Sequence, residues 1–235
     1  MVEPTLMDLL REVRASYVQT EAYLALLHHL RPRLPLPPMR GWAISPDFGR
    51  LLLRLTLRHQ PRAILECGGG TSTLLLAYAL ERLGQLPQGQ IVSLDHEACF
   101  AQATRDELDA HGLSSYARVI HAPLKPLSLE GRAWAWYDCG AVPPPPAQGY
   151  DLLLIDGPTQ HGNPEPMVRY PALPVCYAAL AEGALILLDD AARHDEAQAA
   201  ERWLSSFALE ELPTWDTEKG ARLFRKSVGV GSANA

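Results

Sequence analysis

The chain has 235 residues, 47% hydrophobic and 20% charged, with a formal net charge of -6. That is the mix of a globular domain with a sizeable core. No basic block stands out, so nucleic acid and anionic membrane surfaces are not expected partners. The cysteines at 67, 99, 139 and 176 show no C-x-x-C spacing, which argues against zinc ribbons and redox motifs and suggests reduced thiols. Met1-Val2-Glu3-Pro4 lacks the basic and apolar regions of a secretion signal. No apolar run reaches the ~20 residues of a membrane span. The expectation is a cytoplasmic protein.

Residues 5 to 30 are expected to be helical. Leu6, Leu10, Val13, Tyr17, Thr20, Leu24 and Leu27 alternate steps of four and three, a heptad-like seam. It either packs on its own domain or pairs with a second copy as a homodimer. Four prolines between Pro32 and Pro38 end the helix in an extended connector. The expected division is a helical segment and connector over 1–38, one catalytic domain over 39–226 and a flexible tail over 227–235. A second helix is expected after Ser45, with Pro46 in its first turn, turning Leu51, Leu52, Leu55 and Leu57 inward.

From residue 62 strand and helix alternate. Strands are expected at 63–65, 91–94, 117–120, 151–155 and 184–188, and helices at 72–83, 97–111, 167–181 and 193–206. Residues 121–150 read as irregular, and 209–212 with 222–225 as a closing hairpin. The fold class is α/β: a Rossmann-like seven-stranded, mostly parallel sheet with helices on both faces, preceded by an N-terminal helix.

The most informative stretch is Glu66-Cys67-Gly68-Gly69-Gly70-Thr71-Ser72-Thr73. A strand runs through three glycines into a helix, the layout of a nucleotide site at the carboxyl edge of an open α/β sheet. A dinucleotide enzyme would need a third small residue where Thr73 stands, and Glu66 would be poorly placed beside a pyrophosphate. A carboxylate suits a cofactor carrying a sulfonium and an amino group. Asp95 ends the next strand and can accept hydrogen bonds from both ribose hydroxyls.

Glu66 to Ser72 resembles the first signature of class I S-adenosylmethionine-dependent methyltransferases. Asp156, Asp189 and Asp190 end two later strands and resemble the metal site of cation-dependent O-methyltransferases of the sugar type, in which the acids bind Mg²⁺. Gly41 to Asp47, Trp136-Tyr137-Asp138, Leu154 to Pro158, Arg169-Tyr170-Pro171-Ala172 and Leu188-Asp189-Asp190 resemble bacterial methyltransferase family 24. The resemblance implies cofactor binding by Glu66, Gly68, Gly70, Thr71, Ser72 and Asp95. Ser45 is expected at the amino acid end of the cofactor, and Ala122 and Pro123 near its adenine. Asp156 or His161 is the expected base, because Thr159 stands where the catechol type has a lysine. Trp136 and Tyr137 either wall the acceptor pocket or belong to the core. The acceptor implied is a small molecule or sugar bearing a hydroxyl. A nicotinamide-dependent oxidoreductase and an inactive methyltransferase-like interaction protein are the alternatives.

Overall fold

The computed structural model describes residues 5–85, 90–159 and 166–227. Helix α1 (Leu6–Leu30) starts at Thr5, whose side chain accepts the Asp8 amide while the Asp8 carboxylate accepts the Thr5 amide, a reciprocal cap. It stops at Arg31, which turns left-handed immediately before Pro32. Its packed face is Gln19, Ala22, Leu26 and Leu30. The heptad-like seam lies largely on the opposite side, where Leu6, Leu10, Val13, Tyr17 and Leu24 are exposed, so packing of the seam on its own domain, one of the two expectations, is not what the fold shows.

Helix α2 (Pro46–His59) has Pro in its first turn and buries Leu51, Leu52, Leu53 and Leu55, while Leu57 is half-buried. Strand β1 (Ile64–Cys67) leads through the glycines into α3 (Thr71–Arg82); β2 (Ile91–Asp95) precedes α4 (Ala98–Ala110), and β3 (Ala117–His121) follows. The segment expected to be irregular then holds a hairpin of β4 (Leu124–Leu129) and β5 (Arg132–Tyr137). Pro126 and Ser128 obscure the strand pattern of β4, and Trp134 and Trp136 alternate with small alanines in β5. Both tryptophans are buried in a core cluster with residues of β1, β6 and α6.

Strand β6 (Tyr150–Ile155) is followed by α5 (Ala172–Cys176), far shorter than the expected helix at 167–181. Pro171 and Pro174 limit regular hydrogen bonding there, and Leu180 already opens β7 (Leu180–Asp189). After α6 (His194–Ser206), β8 (Leu209–Leu212) and β9 (Ala221–Lys226) close the sheet as an antiparallel pair. The order is β3-β2-β1-β6-β7-β9-β8. Four neighbouring contacts, β3 to β7, are parallel. Near-continuous apolar runs such as Leu152-Leu153-Leu154-Ile155 suit strands covered on both faces.

The chain reverses direction across the sheet between β1 and β6, and ligands of open α/β sheets bind at such a switch point. Register places the site there. Cys67 pairs with Leu94 on one side and with Ile155 on the other, and Ile155 pairs with Leu188. The next residues, Asp95, Gly68, Asp156 and Asp189, therefore form one row across the carboxyl edge, ~4.8 Å from strand to strand. Among the described residues no helix is long and apolar enough to cross a membrane.

Candidate functional site

Gly68 adopts φ +90°, and a methyl group on it would lie 2.7 Å from the amide nitrogen of Gly157. The β1 and β6 exits thus touch through bare backbone, which only glycine permits. A methyl on Gly69 would meet the Ser93 hydroxyl at 2.5 Å. The residue at 73 does not obstruct this packing. Thr73 turns its hydroxyl into the loop, where it accepts the Gly70 amide at 3.1 Å, lies 3.2 Å from the Ser93 hydroxyl and donates to Glu66. The branched side chain braces the glycine turn from below.

Above this turn lies a cavity of about 570 Å³ lined by Gly68, Gly69, Gly70, Thr71, Ser72, Asp95, His96, Tyr137, Asp156, Gly157, Pro158 and Thr159, with Ala43, Ile44 and Trp42 along the connector side. The structure therefore brings together five of the expected cofactor residues: Gly68, Gly70, Thr71, Ser72 and Asp95. Asp95 accepts the Glu97 amide at 2.9 Å. Burial raises its pKa, partly offset by that bond.

Four others stand elsewhere. Glu66 is fully buried beneath the loop, outside the lining; burial raises its pKa, and one of its oxygens has no partner among the described residues. Ser45 is buried and donates to Asp47 at 2.5 Å, while its neighbours Ala43 and Ile44 reach the cavity. Ala122 is in the core and Pro123 is exposed; neither lines the cavity. The Ala122 amide donates to the Asp95 carbonyl at 2.8 Å, which continues the strand pairing past β2. His161 lies outside the described residues.

The three acids at the far edge do meet. One ligand atom from each of Asp156, Asp189 and Asp190 lies within 4.8 Å of the others. Asp190 takes a left-handed backbone, φ +58°, a conformation that Asp tolerates better than most residues. Both Asp189 oxygens and one Asp190 oxygen are buried without a hydrogen-bond partner among the described residues. Burial raises Asp156 to about 7 and Asp189 well above the usual carboxylate range, with the neighbouring acids adding to each shift. Crowded, desolvated carboxylates behave this way when positive charge is short. This oxygen-rich donor set fits a hard divalent cation.

The sequence reading missed the cation already present. Arg169 is buried, donating to Asp190 at 2.8 Å, to the Asp189 carbonyl at 3.0 Å and to Asp156 at 3.4 Å. Arg193 pairs with Asp190 at 2.9 Å from the surface side. The signal was the charge balance itself, since three buried acids demand a counter-charge.

A second missed group holds the connector. Lys219, on the β8–β9 turn, donates to the carbonyls of Gly41 and Ala43, each at 2.9 Å, and stands 3.9 Å from Asp190. Arg40 forks onto Glu218, whose amide donates to Asp47 at 2.8 Å. The Asp47 amide in turn donates to Gln19 of α1. The wall carrying Trp42, Ala43 and Ile44 is thereby sewn to the hairpin beyond the acids.

A family model described as a methyltransferase domain matches residues 65–191, more than half of the chain. No curated protein matches it. Among solved structures, an O-methyltransferase from Bacillus cereus in complex with SAH aligns with a TM-score of 0.61 at 18% identity, covering 92% of this chain and 97% of that one. The O-methyltransferase TomG from Streptomyces achromogenes, in complex with SAM, gives 0.58 at 18% identity over 89% of each chain. The SAH-bound methyltransferase PaMTH1 from Podospora anserina gives 0.62 at 14% identity, over 97% and 99%. At these identities the likeness establishes the fold. The family match spans the glycine turn, Asp95, Asp156 and the Asp189-Asp190 pair, and by it the chain belongs to the methyltransferase-domain family.

Proposed function

We propose that the chain transfers the methyl group of S-adenosylmethionine to a hydroxyl oxygen of a small-molecule or sugar acceptor. The observation that carries this reading is the row Asp95–Gly68–Asp156 beneath one cavity. It offers an acid for a ribose diol, a bare-backbone floor for the sulfonium end and a second acid where the acceptor would stand.

In this reading Asp95 accepts the ribose hydroxyls, while the turn at 68–72 supports the amino acid end. Glu66 acts from below, holding Thr73 and placing negative charge under a cationic cofactor. Ile44 and Ala43 cover that end. Asp156 reaches the cavity and takes the acceptor's proton as the oxygen attacks the methyl carbon and the carbon–sulfur bond breaks. Arg169 holds the Asp156 and Asp190 carboxylates in place, so the geometry is set before the acceptor arrives. Asp156, Asp189 and Asp190 would hold a Mg²⁺ ion, which supplies Lewis-acid polarisation of the acceptor hydroxyl. The small-molecule class fits a recessed cavity and a surface without basic blocks.

The second copy foreseen for α1 belongs to the same proposal. Leu6, Leu10, Val13, Tyr17 and Leu24 are 49–72% exposed and lie opposite the face packed on the domain. Five large apolar side chains on one helix face form a contiguous stripe of the kind that marks an interaction surface. Heptad-like spacing suits another helix of the same kind.

Asp95→Ala is expected to weaken S-adenosylhomocysteine binding by about 10–100-fold, the loss of charge-assisted hydrogen bonds, read by calorimetry. Asp156→Asn should keep that affinity and lower turnover by ~10²–10⁴; unchanged affinity in the first variant counts against the assignment. Excess chelator should abolish turnover and added Mg²⁺ restore it, whereas full activity in chelator removes the metal from the reading. Light scattering should give a dimer for the natural chain and a monomer for Val13→Glu, and a monomeric natural chain rejects the pairing.

A further inference from the structure

Tyr137 ends β5, opposite Leu124, and only 2% of it is exposed. Its ring packs edge-on against Trp136 at 5.0 Å and toward His96 at 6.2 Å. A methyl group on Gly157 would sit 2.4 Å from its hydroxyl oxygen, so the hydroxyl reaches the point where the β1 and β6 exits touch. Tyr137 and both neighbouring glycines line the cavity, between Asp95 and Asp156. Among the described residues this hydroxyl has no hydrogen-bond partner.

A buried hydroxyl without a partner costs stability, and phenylalanine would fill the same space without that cost. Among the described residues the Trp134 indole nitrogen and the Tyr150 hydroxyl also lack hydrogen-bond partners. Neither lines the cavity. Burial, with Cys67, Asp95 and Asp156 acting in the same direction, pushes the Tyr137 hydroxyl well above its usual pKa. It therefore keeps its proton and can donate.

We infer that the Tyr137 hydroxyl belongs to the nucleoside subsite and donates a hydrogen bond to an oxygen or nitrogen acceptor of the bound nucleoside. The inference rests on the reading that the cavity takes S-adenosylmethionine. It gives Tyr137 a place on the floor beneath the cofactor, in place of the two roles the sequence offered, acceptor wall or core. Trp136 remains a core residue, 2% exposed and outside the cavity lining.

The test is Tyr137→Phe in the full chain, with two readouts: S-adenosylhomocysteine affinity by calorimetry and the melting temperature without ligand. The expected result is affinity weaker by about fivefold, with the ligand-free melting temperature unchanged or raised. Unchanged affinity overturns the inference. So does weaker affinity with a lowered melting temperature, since a hydroxyl serving the fold would give that pair. The natural chain separates the two claims: if it fails to bind S-adenosylhomocysteine the functional reading falls as well, whereas equal binding by both proteins removes only the role of Tyr137.

Discussion

The site depends on one contact without side chains, the approach of Gly68 to Gly157 where β1 and β6 leave the sheet. Strand pairing sets Asp95 and Asp156 on either side of Gly68. The bare backbone between them leaves a floor low enough for a ligand to span both acids. A side chain at 68 would need a left-handed backbone and would collide with the β6 exit. The floor is then stiffened from beneath by Glu66, Thr73 and Ser93, which convert a flexible glycine run into a fixed turn.

Electrostatics follow from the same alignment. Register carries the row on to Asp189, so parallel strands that end in acids crowd their carboxylates. Arg169 provides one buried guanidinium to this group, yet among the described residues Asp189 keeps two oxygens without hydrogen-bond partners. Among the described residues, buried oxygens without hydrogen-bond partners occur on Ser72 and Tyr137 in the cavity lining, on Glu66 beneath it, and on Asp189 and Asp190 at the same sheet edge. Polar atoms left unmatched inside a well-packed protein are costly. Those in the cavity lining are placed where a bound ligand would complete them.

Much of this was legible in the sequence because it is local. A strand, a glycine run and a helix follow one another between 64 and 82, and the apolar runs before Asp156 and Asp189 announce buried strands that end in acids. The N-terminal helix was legible in its extent but not in its facing, because periodicity marks an apolar stripe without saying what covers it. The β4–β5 hairpin was missed because Pro126 and Ser128 interrupt its alternation. Tyr137 was singled out as a pocket wall or core residue, whereas Arg169 and Lys219 were missed as site groups. Arg169 sits in a turn and Lys219 between β8 and β9, and only the folded sheet brings them to the row of acids.

A crystal structure of the full chain with S-adenosylhomocysteine tests the central claim most directly. The account predicts ribose hydroxyls on the Asp95 carboxylate and the sulfur above Gly68, directed toward Asp156. A nucleoside bound away from Asp95, or one whose sulfur points away from Asp156, would contradict it.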